Sequence, residues 1–340
     1  MRIAVVGATG RVGGKLTRTL LSAGHEVRAL SRGGPALEEL VSLGAEPFIG
    51  SFDEGTGDFK AFFRDVDAAF LMVKTDWSKI ETDWKSFEDH YPVVAQRFVD
   101  ALEKSDVKLA VTLTAMGSEV NAETGHFKGF HHLETKLNEL GSIDLVHLRG
   151  AWFMEDTVQW IRPVAKYGRI GWSCLPDLKM PWVAIDDIAW LAARELTNPR
   201  GRHRVDLEVG SEDISMNELA AIISAQIGKP VGYRYIDTKR EEVKAEFIGR
   251  FGTPEKWNYD VLTTEALNSA LVKFHGQHED RPQLPTTMEA FIRDVWKPRY
   301  LANAAPREDE PESFALWCAK NEPPRRLLIP AFCSLHSVDP

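Results

Sequence analysis

Residues 7–13 read Gly7-Ala8-Thr9-Gly10-Arg11-Val12-Gly13, a G-x-x-G-x-x-G string. It lies between an apolar run, Ile3-Ala4-Val5-Val6, and a segment with leucines at helical spacing. A strand that feeds a glycine turn opening a helix is the context in which such a string cradles a pyrophosphate. Gly7 permits the tight turn, Gly10 lets the backbone approach the phosphates, and Gly13 allows close helix–strand packing. The helix N-terminus favours the negative charge. Thr9, Arg11 and Val12 ride on the same loop and are expected cofactor contacts.

The end of the next strand decides which dinucleotide fits. An NAD site places Asp or Glu there to hold the ribose 2′-hydroxyl. This chain has Arg28-Ala29-Leu30-Ser31-Arg32-Gly33-Gly34. With no acid present, Ser31 and Arg32 can hold a 2′-phosphate, Arg32 supplying the charge. The expected cofactor is therefore NADP(H). Met72-Val73-Lys74-Thr75 ends a further apolar strand, and Val73 and Lys74 are expected beside the adenosine ribose.

Trp152, Phe153 and Met154 follow the sixth strand, where open α/β sheets place their ligand crevice. Trp77 and Trp84 follow the fourth strand on a loop that could form a lid. The chain has 10 tryptophans. Most of them also suit a core, but an aromatic-walled pocket would take a large, flat, apolar substrate such as a quinone, a polyketide or an indole alkaloid. Glu119, Glu155 and Asp156 are acid candidates near the same mouth, where a carboxylate can stabilise a cation or move a proton. Asp186 and Asp187 read as helix-capping residues.

These residues need elements to position them, and the hydrophobic pattern supplies them. Residues 3–6, 25–31, 46–49, 68–73, 109–114 and 144–148 read as strands, several apolar throughout as in a sheet buried on both faces. Residues 13–23, 36–43, 59–65, 84–104 and 131–140 read as the helices between them. Alternation at this interval implies βαβ crossovers and a doubly wound parallel sheet of the Rossmann type. Beyond residue 150 the alternation loosens: helices are expected at 157–167, 185–196, 215–227, 239–251 and 286–296, and strands at 205–209 and 231–236. The expected organisation is a dinucleotide-binding domain over 1–150 and a smaller mixed α/β substrate domain over 151–300, with some elements returning to the sheet. An acidic, Pro-containing linker and tail fill 301–340.

Composition narrows the class. The 340 residues, 44% hydrophobic and 27% charged, suffice for a large core without disulfide or metal support. A net charge of -9 argues against nucleic acid as the main partner. The three cysteines, Cys174, Cys318 and Cys333, form no C-x-x-C pair, and no Cys/His cluster has zinc spacing, so no metal is expected. With neither a signal-peptide pattern nor a run of roughly 18 apolar residues, the expected location is the cytoplasm and no membrane partner is expected.

The glycine string, Ser31-Arg32, Leu148-Arg149-Gly150-Ala151-Trp152-Phe153-Met154-Glu155 and Pro181-Trp182-Val183-Ala184-Ile185-Asp186-Asp187-Ile188-Ala189 together resemble the NmrA-like family of atypical short-chain dehydrogenase/reductases. The resemblance spans about residues 1–298, including Thr286-Thr287-Met288-Glu289-Ala290-Phe291. It implies an NADP(H)-binding domain and a smaller C-terminal domain, with Trp182 on the substrate side, but no single activity. Ordinary short-chain dehydrogenases carry Tyr-x-x-x-Lys on the helix after the fifth strand, the lysine lowering the tyrosine pKa. Here His132-Leu133-Glu134-Thr135-Lys136 stands in that place. Lys136 matches the lysine and is expected on the nicotinamide ribose. His132 takes the tyrosine position, where an imidazole can act as acid or base or simply lie on the helix surface. Thr114 is the hydroxyl nearest the place of the usual serine.

Three functions follow as expectations. The first is an NADPH-dependent reductase of a bulky aromatic, quinone, imine or polyketide-like small molecule. The second is a non-redox cyclase or isomerase that keeps the fold and uses acid–base residues. The third is a non-catalytic NADP(H)-sensing regulator that binds a protein partner. The tail could be an ordered cap, a homo-oligomer contact or disordered.

Overall fold

The structure is a computed structural model that describes residues 1–74, 84–198, 203–251, 253–273, 282–303 and 314–320. A seven-stranded sheet forms its centre. In chain order the strands are β1 (Arg2–Val5), β2 (Glu26–Ser31), β3 (Glu46–Ile49), β4 (Ala68–Leu71), β5 (Leu109–Ala115), β6 (Asp144–Gly150) and β10 (Arg204–Val209). They lie in the spatial order β10-β6-β5-β4-β1-β2-β3, and every pairing is parallel. The continuous apolar runs are explained by burial on both faces: Ile3, Ala4, Val5, Phe70 and Val111 have no exposed surface.

Helices α1 (Arg11–Ser22), α2 (Pro35–Ser42) and α7 (Ile185–Thr197) cover one face, where Leu16, Leu20, Leu37, Ile188 and Leu191 pack on the sheet. Helices α3 (Phe59–Phe62), α4 (Trp84–Leu102) and α5 (His126–Leu137) cover the other, with Phe62, Val94, Phe98, Leu133 and Leu137. The chain winds outward from β1 to β3, then crosses back to β4 on the other side of β1. The strand order therefore reverses between β1 and β4, which opens a crevice at their C-terminal ends.

A second core holds the later elements. Strand β7 (Trp152–Phe153) pairs in parallel with β9 (Met180–Val183), which pairs antiparallel with β11 (Glu212–Ile214). Strand β8 (Arg169–Trp172) pairs with β12 (Gly232–Tyr235). Around them pack α6 (Ile161–Tyr167) and α8 (Met216–Ile227), the latter started by a reciprocal Ser215–Glu218 cap and ended by Gly228 at φ +68°. Because α7 and β10 return to the main sheet, the two cores are interleaved in sequence and no single cut at residue 150 separates them.

The structure departs from the sequence reading in several helices and adds the short strands β7, β8, β9 and β11. Helix α5 begins at His126, five residues before the expected start at 131, on Gly125 at φ +59°. Helices α9 (Glu241–Phe251) and α10 (Pro254–Asn268) follow β12, and α10 has no counterpart among the expected helices. Trp257, Tyr259, Val261, Thr264 and Leu267 of α10 are all buried, so contact on several sides leaves no single apolar stripe to read. The expected helix at 157–167 begins instead as a 3₁₀ segment, Met154–Trp160. The expected helix at 286–296 is α11 (Met288–Phe291), then a π-turn at Ile292–Trp296, and then α12 (Lys297–Asn303).

Helix α13 (Phe314–Ala319) docks by its backbone on β8. A Cβ on Gly171 would meet the Cys318 carbonyl at 2.5 Å. Trp77, Thr75, Cys333, most of the acidic linker and the last twenty positions lie outside the described residues. Among the described residues no helix is long and apolar enough to cross a membrane.

Candidate functional site

The glycine loop leaves β1 at the strand-order reversal. Gly7 sits at φ +69°, a conformation that favours glycine, and a Cβ there would lie 2.7 Å from Met72 Sδ at the exit of β4. The Gly10 N–H closes the turn on the Gly7 carbonyl at 2.8 Å. A Cβ on Gly13 would fall 2.2 Å from the Gly7 carbonyl oxygen, so α1 meets the strand backbone to backbone. Gly10 caps α1, and among the described residues no side chain accepts from the first-turn N–H groups and no acid lies there. That helix end therefore keeps its donors and its partial positive charge for an anion.

A cleft of about 300 Å³ opens over this loop, walled by Gly7, Thr9, Gly10, Ser31, Arg32 and Lys74 among others. The residues expected at the ends of β1, β2 and β4 thus meet in one place. Ser31 ties the wall together: its Oγ lies 3.2 Å from Thr9 Oγ1 and accepts the Gly33 N–H at 3.2 Å. Arg32 reaches across to Glu54 at 2.9 Å. Val73 is buried behind the wall, while Lys74 is exposed.

Gly50, Ser51, Phe52 and Asp53, after β3, complete the cleft and were missed from the sequence. The signal was available. In a sheet ordered β3-β2-β1-β4, the end of β3 adjoins the end of β2, so its following loop borders the same crevice. Asp53 Oδ1 accepts the Lys74 N–H at 3.2 Å and meets His90 Nε2 of α4 at 3.1 Å, which fixes this wall from below.

A second group gathers at the rim. Arg11 pairs with Asp156 at 2.9 Å, and its guanidinium lies 5.7 Å from the Phe153 ring centre. Burial raises the Asp156 carboxyl above its ordinary pKa, and Arg11 pulls it back. Both Glu155 oxygens accept the Ile185 N–H at 3.1 Å, so this acid caps α7. Burial raises its pKa too, against those backbone bonds. Asp186, in the first turn of α7, pairs with Lys15 of α1 at 2.5 Å. Asp187 accepts from the Thr286 N–H and hydroxyl, at 3.1 and 2.9 Å.

Other expected site residues go elsewhere. Thr114 is buried and donates to Glu134 at 2.7 Å, so its hydroxyl faces the interior and not a ligand. Glu134 takes the Arg149 guanidinium in a fork, at 3.0 and 2.6 Å. Glu119 and Asp206 also approach Arg149, at 3.4 and 3.3 Å. Glu134, His147 and Asp206 bring donor atoms within 4.8 Å of one another, but the Arg149 cation already answers the two carboxylates. His147 Nε2 donates to Asn138 Oδ1 at 3.1 Å, and burial lowers the ring's pKa.

Lys136 pairs with Glu139 at 3.0 Å on the last turn of α5 and is not among the cleft-lining residues. His132 is half-buried on the same helix, its ring 5.9 Å from that of His131. Met154 and Trp182 are corrections to the expected substrate wall. Met154 is fully buried, and Trp182, equally buried, donates its Nε1–H to the Ile214 carbonyl at 3.0 Å. Trp152 is half-buried, edge-on to Trp172 at 4.7 Å, and its buried Nε1–H has no partner among the described residues.

The early start of α5 brings in His126. Its Nδ1 contacts the Tyr259 hydroxyl, and burial lowers its pKa from 6.5 to about 4. The unfolded chain therefore binds more protons between those values. Stability owed to neutral His126 is full above pH 6.5 and is lost as pH falls toward about 4. His126→Phe is expected to flatten that part of a Tm–pH curve relative to wild type. Asp260, raised by burial to about 7, titrates in both proteins and cancels in the difference. Parallel curves would contradict this account of His126.

The parallel sheet with a glycine-lined cleft at its strand-order reversal defines a Rossmann-type α/β protein. More narrowly, the chain belongs to the NmrA-like family, whose profile matches residues 1–300. It is 25% identical over 253 residues to an NAD(P)H azoreductase of Xenophilus azovorans, covering 74% of this chain and 82% of that protein. The crystal structure of the Citrobacter sp. triphenylmethane reductase complexed with NADP(H) superposes with a TM-score of 0.63 at 19% identity, covering 86% of this chain and 99% of that one. Nmra, a negative transcriptional regulator in complex with NAD, superposes at 0.68 and 15% identity, covering 90% and 98%.

Proposed function

We propose that this chain binds NADP(H) in the cleft and acts as an NADPH-dependent reductase of a bulky aromatic or otherwise apolar small molecule. The observation that carries the reading is the cleft wall: a glycine turn and an uncapped helix N-terminus beside Ser31 and Arg32, with no acid at the end of β2. The residues fit the group. The first turn of α1 would receive the pyrophosphate, and the Gly7, Gly10 and Gly13 positions leave no side chain in its way. Ser31 and Arg32 would hold the 2′-phosphate, and Phe52, Asp53, Met72 and Lys74 would flank the adenosine.

When bound, the cofactor supplies a hydride; the protein's task is positioning and exclusion of water. Phe153 and the half-buried Trp152 offer apolar surface beside Arg11 and Asp156. Asp156, its pKa raised, can hold or release a proton at a carboxylate oxygen that Arg11 keeps in place. The azoreductase and triphenylmethane reductase relatives act on aromatic dyes by name, which supports this substrate class.

A titration with NADPH and NADH, followed by NADPH oxidation with azo dyes, triphenylmethane dyes and quinones, tests the reading. Arg32→Ala is expected to weaken NADPH binding roughly 10- to 100-fold, as lost charge-assisted bonds do, with little change for NADH. Absence of NADPH binding, or of any turnover across these acceptors, would overturn the reductase.

A second reading, a nucleotide-sensing regulator, is favoured by one observation. The helix that carries the usual catalytic pair has no tyrosine here, and its Lys136 is engaged by Glu139. NADP(H) binding that changes affinity for a protein partner, without turnover, would select it. The cyclase or isomerase reading would need Glu155, Asp156 or His132 as acid or base. Substituting each while cofactor binding persists separates that reading from hydride transfer.

A further inference from the structure

We propose that Glu54 sets this protein's choice between the two nicotinamide dinucleotides by competing for Arg32. The inference rests on the reading of the cleft as a dinucleotide site. The acid that β2 lacks is returned from the next strand. After β3 the chain forms a tight turn in which Ser51 and Thr56 pair, N–H to carbonyl, at 2.8 and 3.0 Å. Glu54 sits at its tip, its N–H held by Ser51 Oγ at 3.2 Å.

The turn is fastened from inside. Arg97 of α4 donates to the carbonyls of Phe52 and Asp53, at 2.5 and 3.0 Å. Gly55, at φ +72°, lies against the same guanidinium, where a Cβ would come within 2.7 Å. Glu54 is therefore presented by a fixed backbone, and its carboxylate reaches Arg32 at 2.9 Å.

Both side chains stand largely in water, with 60% of Arg32 and 46% of Glu54 exposed. An ion pair of this kind is weak and is readily exchanged for another anion. A 2′-phosphate approaching Arg32 must displace the Glu54 carboxylate or share the guanidinium with it, and like charges at that separation repel. A ribose 2′-hydroxyl meets no such penalty and can donate to the carboxylate. Glu54 thus weakens NADP(H) and helps NAD(H), moderating a preference that Arg32 alone would make steep.

The test is direct binding, by calorimetry or tryptophan fluorescence, of NADPH and NADH to wild type, Glu54→Gln, Glu54→Asp and Glu54→Lys. Glu54→Gln is expected to tighten NADPH about tenfold and to loosen NADH several-fold. Glu54→Lys should tighten NADPH further with a steeper dependence on salt. Glu54→Asp, which keeps the charge, should stay near wild type and shows that any shift is electrostatic. If wild type binds one or both nucleotides and the affinity ratio is the same in Glu54→Gln and Glu54→Lys, the inference is overturned while the cleft reading stands. If wild type binds neither, the cleft reading fails and this inference with it.

Discussion

Gly13→Ala is expected to lower Tm by roughly 4 °C and to weaken NADPH binding more than tenfold. The cause is local. The new Cβ would lie 2.2 Å from the Gly7 carbonyl oxygen, 2.8 Å from its carbon and 3.2 Å from Ala8 Cα. These are backbone atoms of the turn itself, so no side chain can swing aside. Relief requires α1 to move off the sheet, and the helix is anchored there by Leu16 and Leu20, which are buried against it. Overpacking of this kind costs about 3 kcal/mol, at the upper end of the usual range. For a chain of this size that is about 4 °C. Binding suffers in addition because the displaced turn carries the N–H groups meant for the phosphates.

The neighbouring position is the control. A Cβ at Gly14 meets only the end of the Arg18 side chain at 3.2 Å and the Ala8 carbonyl at 3.4 Å. Gly14→Ala should be close to neutral, the helix propensity gained offsetting the contact. Differential scanning fluorimetry with and without NADPH reads both effects. Equal melting temperatures for the two variants would refute the close-packing account of Gly13.

Why Gly13 could be picked out from the sequence, and Glu54 could not, is a matter of range. The glycine turn is encoded by adjacent residues, and the strands around it advertise themselves by apolar runs buried on both faces. The missing acid at Ser31-Arg32 is equally local. Glu54 acquires its meaning only when β3 is laid beside β2 and the 51–56 turn folds back on Arg97. Met154 reads as a pocket wall because it follows β6, whose end faces a crevice, and Trp182 because its segment carries the family resemblance, yet a second core closes over both. The signal for α10 failed for the same reason, since burial on several sides erases the stripe that marks a surface helix. Thr114 stands where a ligand-facing hydroxyl is usual. It turns inward because Glu134, one buried acid on α5, needs it.

That acid sets the last large effect. Arg149→Met is expected to destabilise the protein by about 3–5 kcal/mol, the usual cost of stripping the partner from a buried charge. Among the described residues, Glu134 would retain the Thr114 hydroxyl as its hydrogen-bond partner, in a site where 2% of it is exposed. Asp206 keeps Arg204 at 2.9 Å, so the damage concentrates on Glu134. A double variant distinguishes this from simple loss of packing. Urea unfolding at neutral pH measures the gap between wild type and Arg149→Met. Adding Glu134→Leu to Arg149→Met removes the stranded charge and should recover most of the loss at neutral pH, since a buried ion pair adds little over an apolar pair of like volume. A double variant as unstable as the single one would mean that Arg149 stabilises the β5–β6–α5 junction by shape alone.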